Sequence, residues 1–449
     1  MADEPLGFAL PKGLDDVDAA FMTQVLRRSG AISETNEVIS QEEQGVGMTA
    51  GYFSAIKRVL CTYKEPTNAP HAFVVKAWPQ LEIAPKENIR AMFVKDIKGY
   101  HMPADSFYPR PITHLAAFDA KRDLWALVME DACAYADHKI HEAELNFEET
   151  MRMVPGLVDV AIAWEGADSG DKAAQLDDLG VALWASDDNL ADFKALMPGG
   201  VKIHDWVTTM ADSPLVGTPT WDACLGGPGF SEAFARKSDA FFANSHPANG
   251  ATCTLSHGDM RGDNIFFCDG HSSYPGGWLC IDFQLMFRGP VPSDLAYLMC
   301  SGSVLPEVYA EDNLQRILGT FYDGFMAKTR AYPNYSYEQF VDEFATMATV
   351  NFCYYMAFGV PFYQGGAFRN ELAMRVELGG QGVTETDLTP EEMRQRMWWR
   401  KTWRNQRELF RTFNLRERLR ALPENTSGMG EWAELPAHLA QAGDEISRR

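Results

Sequence analysis

Between Glu37 and Met129 the chain repeats one pattern five times, a short β-rich run closed by turn residues, and beyond Asp131 helical periodicity takes over. The runs are EVISQ, FSAIKRVLCTY, AFVVKAW, PITHLAAF and LWALVM. Their branched and aromatic residues, set between polar, Gly and Pro breaks, predict five strands. A helical stretch, Asn88 to Tyr100, follows the third run. An opening helix precedes them all: Val17, Phe21, Met22, Val25 and Leu26 share one face, and Gly30 marks its end. Later helical patterns are MRMVPGLVDVAIAWEG, NLQRILGTFYDGFMAKT, YEQFVDEFATMATVNFCYYMAFG and EEMRQRMWWRKTWRNQRELFRTF. A β island, CTLSHGDMRGDNIFF to GGWLCIDFQ, lies among them, and Leu176 to Asp239 is weakly patterned. The 449 residues exceed one ordinary core. The expectation is an α+β protein of two lobes, a β-rich N-lobe over 1–130 and a mainly helical C-lobe over 131–449.

Charge narrows the partners. Sixty-two acidic residues against 40 basic ones leave a formal charge of −22, which repels phosphate backbones and anionic lipid heads. Nucleic acid and membrane surfaces are therefore not expected as partners. No uninterrupted apolar run approaches the roughly 18 residues of a membrane helix. The opening MADEPLGFALPKG lacks a charged-then-apolar signal pattern, so the expected location is cytoplasmic. Eight scattered cysteines without a Cys-x-x-Cys pair read as reduced, mostly buried thiols. His138-x-x-His141 with Glu142 and Glu144 could bind a metal from one helical face, but it lacks the spacing of a zincin.

The chemistry concentrates in Leu255-Ser256-His257-Gly258-Asp259-Met260-Arg261-Gly262-Asp263-Asn264-Ile265-Phe266-Phe267 and, further on, Ile281-Asp282-Phe283-Gln284. Phosphoryl transfer from ATP needs a carboxylate near the acceptor hydroxyl and hard oxygen ligands for Mg²⁺. Asp259 and Asn264 stand five apart on one loop, so one can face the acceptor while the other reaches a metal. Asp282 follows an apolar, strand-like Trp278-Leu279-Cys280 and supplies a second hard oxygen. In the N-terminal half, Gln44-Gly45-Val46-Gly47-Met48-Thr49-Ala50-Gly51 lies between two strands, where glycines let backbone N–H groups approach phosphates. Lys76 follows Phe73-Val74-Val75 in the third run, the place of a phosphate-binding lysine.

His-Gly-Asp-x-x-x-x-Asn followed by Ile-Asp-Phe-Gln resembles the aminoglycoside phosphotransferase, choline kinase and ecdysteroid-kinase-like group, and its Asp-Phe-Gln ending is similar to the ecdysteroid-kinase-like (CHK kinase-like) branch. The resemblance covers about residues 15–370. It implies a two-lobed protein-kinase-like fold, ATP and Mg²⁺ as cofactors, and a small hydroxylated molecule as phosphate acceptor. Asp259 would be the catalytic base, Asn264 and Asp282 the Mg²⁺ ligands, and Gly45, Gly47 and Lys76 the phosphate cradle. Asp96, in Phe93-Val94-Lys95-Asp96-Ile97-Lys98-Gly99-Tyr100, stands where the family usually has Glu as partner of the lysine. Leu127-Val128-Met129-Glu130-Asp131 resembles the hinge, where adenine bonds to backbone. Asp294, in Pro292-Ser293-Asp294-Leu295-Ala296, would be a helix N-cap tied to the catalytic loop.

Two departures fall on the acceptor side. Ala163-Trp164-Glu165-Gly166 replaces the family's His-Ala, and Arg261 stands where the branch has Trp. Loss of Asp259, Asn264 or Asp282 would point instead to an inactive nucleotide-binding scaffold, and none is lost. A protein kinase would show Asp-Phe-Gly and Ala-Pro-Glu, which are absent. The acceptor segment matches Asn351 to Gln364, which is aromatic and uncharged. With Tyr355, Phe358 and Arg261 as substrate-binding candidates, it suits an apolar alcohol better than a polycationic sugar. A quaternary ammonium alcohol fits the same rings through cation–π contact. Phe352, Tyr354, Phe362 and Tyr363, like Trp398, Trp399 and Trp403, read as core. The sequence carries no signal for oligomeric state.

Overall fold

A computed structural model describes residues 6–44, 55–77, 86–138, 144–191, 194, 236–364, 386 and 388–425; within its helices and strands the side chains of 44, 86–89, 138, 311, 352–364, 391, 392, 394–400, 403 and 416 are not among those described. The chain divides into two compact units, Met1–His138 with Phe266–Leu285, and Lys139–Ile265 with Met286–Arg449.

In the first unit, β1 (Val38–Gln44), β2 (Ala55–Tyr63), β3 (Ala72–Ala77), β4 (Thr113–Asp119) and β5 (Leu124–Glu130) form one antiparallel sheet in the order β1-β2-β3-β5-β4. Strand alternation divides the sheet's faces. Phe73 and Val75 of β3 join Val59 and Val128 in a core closed by Phe21, Met22, Val25 and Leu26 of α1 (Ala19–Arg28). Asp18 caps α1 by accepting from the Phe21 N–H at 2.7 Å, and Gly30 leaves it at φ +72°. Lys76, between Val75 and Ala77, therefore points to the other face. There α2 (Lys86–Gly99) packs, with Phe93 stacked on Trp125 at 4.1 Å.

The sequence reading draws one boundary near residue 130, whereas the first unit also contains Phe266–Leu285. Strands β6 (Asp137–His138), β8 (Ile265–Phe267) and β9 (Trp278–Cys280) form a small sheet, and Phe266, Cys268, Tyr274 and Leu279 bury Ala132. Shared apolar burial holds the hairpin to the unit that holds residue 132.

The second unit is mainly helical. Helix α3 (Phe147–Ala163) begins four residues before its expected start, because Asn146 and Glu149 form a reciprocal capping box. It buries Met153, Val154, Leu157, Val158 and Ala161. Helix α4 (Gly170–Asp178) starts the weakly patterned stretch, most of which lies outside the described residues, and α5 (Ser238–Asn244) ends it. Strand β7 (Thr254–Ser256) pairs antiparallel with β10 (Phe287–Gly289), and α6 (Ser293–Cys300) is buried at all eight positions. Helices α7 (Glu311–Met326), α8 (Tyr337–Gln364), α9 (Pro390–Phe413) and α10 (Leu415–Ala421) complete the unit. The α+β class expected from the sequence is the class found.

Six cysteines are described as free thiols, five of them buried. His141 and Glu142 lie outside the described residues, and Glu144 pairs with Arg404 and Lys401 of α9. Among the described residues no helix is long and apolar enough to cross a membrane.

Candidate functional site

In the first unit three charged residues from remote parts of the chain meet. Lys76 Nζ lies 3.4 Å from Asp96 Oδ2 and 3.1 Å from Asp282 Oδ1. The lysine and Asp96 are buried, while the Asp282 side chain keeps 20% of its surface exposed. Burial acts to lower the Lys76 pKa, and the two carboxylates outweigh it, so the ammonium is held above the ordinary lysine range. Burial holds the Asp96 carboxyl above its ordinary range, with Lys76 pulling the other way. Asp96 satisfies its second oxygen locally, since Oδ1 accepts from the Phe283 backbone N–H at 2.9 Å. One carboxylate thus ties the lysine of β3 to the turn that carries Asp282.

That turn is anchored by its phenylalanine. Phe283 is fully buried and packs on Tyr100 at 5.0 Å, Phe107 at 4.8 Å and Tyr108 at 6.2 Å. Asp282 itself sits at φ +75°, a left-handed conformation that a short polar side chain tolerates and most others do not. Gln284 Nε2 donates to its Oδ2 at 3.4 Å.

The stretch 127–131, likened to a hinge on sequence, completes this unit's candidate residues. Met129 is buried and pairs with Val74, and the Glu130 side chain lies 3.7 Å from His114. The N–H groups of Glu130 and Asp131 donate to the Ile112 and Ala72 carbonyls at 2.9 and 3.0 Å. The Asp131 side chain turns inward, accepting from Arg58 Nε at 2.6 Å and from the Cys133 N–H at 3.1 Å. Gly45 and Gly47 lie outside the described residues.

In the second unit the loop after β7 holds Asp259, 5% exposed. Its Oδ1 accepts from the Tyr297 hydroxyl at 2.7 Å and lies 3.3 Å from Arg261 Nε; its Oδ2 accepts from Asn264 Nδ2 at 3.1 Å. The same amide nitrogen donates to the Asp259 carbonyl at 2.9 Å. These two bonds identify which amide atom of Asn264 is nitrogen and leave its oxygen for another partner. Arg261 also lies 3.0 Å from Asp263, so the cation expected on the acceptor side is shared between two carboxylates.

The loop's backbone is held from two directions. Asp294 is not the N-cap of α6; that position is Pro292, with no side-chain cap bond. Asp294 stands inside the first turn, where its carboxylate accepts from the His257 N–H at 3.0 Å and the Gly258 N–H at 3.2 Å. Gly258, at φ +80°, makes that double contact possible. On the other side the Gly262 N–H donates to Ser303 Oγ at 2.8 Å. Gly302 allows α9 to approach, since a Cβ there would stand 2.6 Å from the Thr402 nitrogen.

Tyr297 and Arg58 carry contacts that the sequence reading does not assign. Tyr297 had a usable signal: it stands three residues after Asp294 on one helix, so both share the face toward the loop. Arg58 had none, as its partner lies 73 positions away. Tyr355 and Phe358 are on α8, but their side chains lie outside the described residues, as do Phe352, Tyr354, Phe362, Tyr363, Trp398, Trp399 and Trp403.

By fold the protein is of the α+β class, a five-stranded antiparallel sheet with a helix after its third strand, followed by a mainly helical unit. Residues 230–333 match the model of the Ecdysteroid kinase-like family, a segment that contains the His257–Asn264 loop, Asp282 and Asp294. Among solved structures the chain is similar to a GDP complex of aminoglycoside 2'-phosphotransferase-IIIa, at 11% identity and TM-score 0.41, over 86% of this chain and 99% of that one. It is also similar to spectinomycin phosphotransferase in complex with ADP and spectinomycin, at 11% identity and TM-score 0.38, over 90% and 98%. A third is an aminoglycoside-3'-phosphotransferase of type VIII, at 15% identity and TM-score 0.33, over 68% and 93%. No curated protein matches the chain.

Proposed function

We infer that the protein is an ATP- and Mg²⁺-dependent kinase that transfers the γ-phosphate to a hydroxyl of a small organic molecule. The observation that carries this reading is the buried Lys76–Asp96–Asp282 cluster, in which a strand lysine is held beside a partly exposed carboxylate. Lys76 then holds phosphate oxygens, and Asp96 keeps the ammonium in place; Gly45 and Gly47, outside the described residues, are the glycines proposed for the cradle. Asn264 and Asp282 would each offer Mg²⁺ a hard oxygen, the first an amide oxygen left by its bonded nitrogen and the second a carboxylate. When bound, Mg²⁺ would supply neutralisation of phosphate charge. Asp259 orients the acceptor hydroxyl and takes its proton. Adenine bonds to hinge backbone. With the Glu130 and Asp131 N–H groups engaged, the next donor along is that of Ala132, at the start of a 3-10 turn, whose leading N–H groups have no partner within the turn.

The acceptor side supports an apolar alcohol over a polycationic sugar. Arg261 brings a cation beside Asp259, and the Asn351–Gln364 segment carries no charge. The test is a metabolite panel read by ADP release, with mass spectrometry for a product roughly 80 Da heavier, the mass of one phosphoryl group. In parallel, Mg-ATP at about 100 times its dissociation constant should stabilise the fold by about 2.7 kcal/mol. A melting curve unmoved by millimolar Mg-ATP in folded protein would sink the kinase reading.

A further inference from the structure

Asp131 follows strand β5 and caps the turn Ala132–Ala134, and its side chain does not face outward to a ligand. It is 3% exposed and spans two donors, Arg58 Nε of β2 and the Cys133 N–H of the following turn. Its own N–H is spent on the Ala72 carbonyl of β3. The turn Ala132–Ala134 is therefore gripped from the sheet side through a charge-assisted bond of 2.6 Å. It is gripped again where Ala132 packs into the hairpin cluster of Phe266, Cys268, Tyr274 and Leu279.

We propose that Arg58 and Asp131 are positioning residues for the purine base: the ion pair fixes the hinge turn in the register that presents the Ala132 N–H to the base edge. This rests on the kinase reading above, and goes beyond it in assigning base affinity to a pair that touches no ligand. The phosphate end of the nucleotide depends on Lys76 and Asp282, which the pair does not contact, so base and phosphate binding separate.

The experiment measures binding of Mg-ADP and of Mg-tripolyphosphate to the full chain by calorimetry. Arg58→Met keeps the apolar stem of a side chain that is 34% exposed, and removes only its donor. It should weaken ADP roughly fivefold to tenfold, about one hydrogen bond's worth, while tripolyphosphate affinity of the folded protein holds; the melting temperature of the unliganded protein should fall as well, because Asp131 loses its cation. Asp131→Asn should move ADP in the same direction, and Arg58→Lys should restore part of the loss. A pair that serves only the fold would lower the melting temperature and leave the ADP affinity of the folded protein alone. ADP affinity unchanged in Arg58→Met, or falling in step with tripolyphosphate, overturns the inference and spares the kinase reading. Wild-type protein that binds no ADP overturns both.

Discussion

Asp96 and Asp259 are both buried carboxylates, 1% and 5% exposed, but they are kept there by different means. Asp96 answers a full charge: Lys76 stands at 3.4 Å, with Asp282 on the lysine's other side. Asp259 is satisfied chiefly by neutral donors, the Tyr297 hydroxyl and the Asn264 amide, while Arg261 stands farther off and is shared with Asp263. The first arrangement closes an ionic cluster whose members lie up to 206 positions apart. The second is a loop whose shape comes from its own backbone bonds to Asp294 and Ser303. Removing one member of a buried ion cluster strands a charge, whereas exchanging a hydrogen-bonded carboxylate for its amide strands little. The difference teaches that stability should live in the first cluster and turnover in the second.

Asp259→Asn puts that division under the greatest strain. It should cost about 10²–10⁴-fold in turnover, the usual size of a lost general base, with nucleotide affinity and melting temperature held. A several-degree fall in melting temperature would show that the catalytic loop, too, depends on its charge. Asp96→Ala should do the reverse. It leaves the Phe283 N–H without its acceptor and removes one of two counter-ions from a buried lysine, costing about 3–5 kcal/mol in urea unfolding. Stability within 1 kcal/mol of wild type, on the order of one hydrogen bond, would mean that Asp282 alone balances Lys76.

A smaller effect comes from a third buried carboxylate, Glu343, which among the described residues is held by neutral donors. Glu343 accepts from the Thr252 N–H and from the hydroxyls of Thr252 and Tyr335. Burial is the larger influence and holds its carboxyl above the ordinary glutamate range. The folded state therefore keeps a proton that the unfolded chain has already released. Its contribution is fully present below the ordinary glutamate pKa and is lost as pH rises through the higher folded value. Glu343→Gln cannot ionise, so its urea midpoint should fall less between pH 4 and pH 7 than that of wild type. Parallel pH profiles would assign the slope elsewhere.

Much of the fold could be read locally. The five strands, the helix after the third and the opening helix to Gly30 follow from periodicity and breakers, which act within a few residues. The Asp259-x-x-x-x-Asn264 spacing is local in the same sense, because both residues belong to one loop. Helix starts were less legible. The capping box at Asn146 and Glu149 was written in the sequence, but the apolar run that draws attention begins after it. The expectation for Asp294 divides in two: it is not the cap of its helix, but the tie to the His257–Gly258 loop that the sequence suggested is there.

The amino-acid sequence by itself determined the element order, the α+β class and the carboxylates and amide proposed for the chemistry, since side-chain period and backbone preference are properties of short segments. Only the tertiary structure decided which groups meet. It set Asp282 beside Lys76, gave Asp131 to Arg58 and Tyr297 to Asp259, and returned residues 266–285 to the first unit. It also answered whether an aspartate at position 96 can reach its lysine: helix α2 stands where Oδ2 lies 3.4 Å from Nζ and Oδ1 still accepts from Phe283. Pairings across 38 to 206 positions depend on how strands and helices pack, and no short window of sequence encodes that packing.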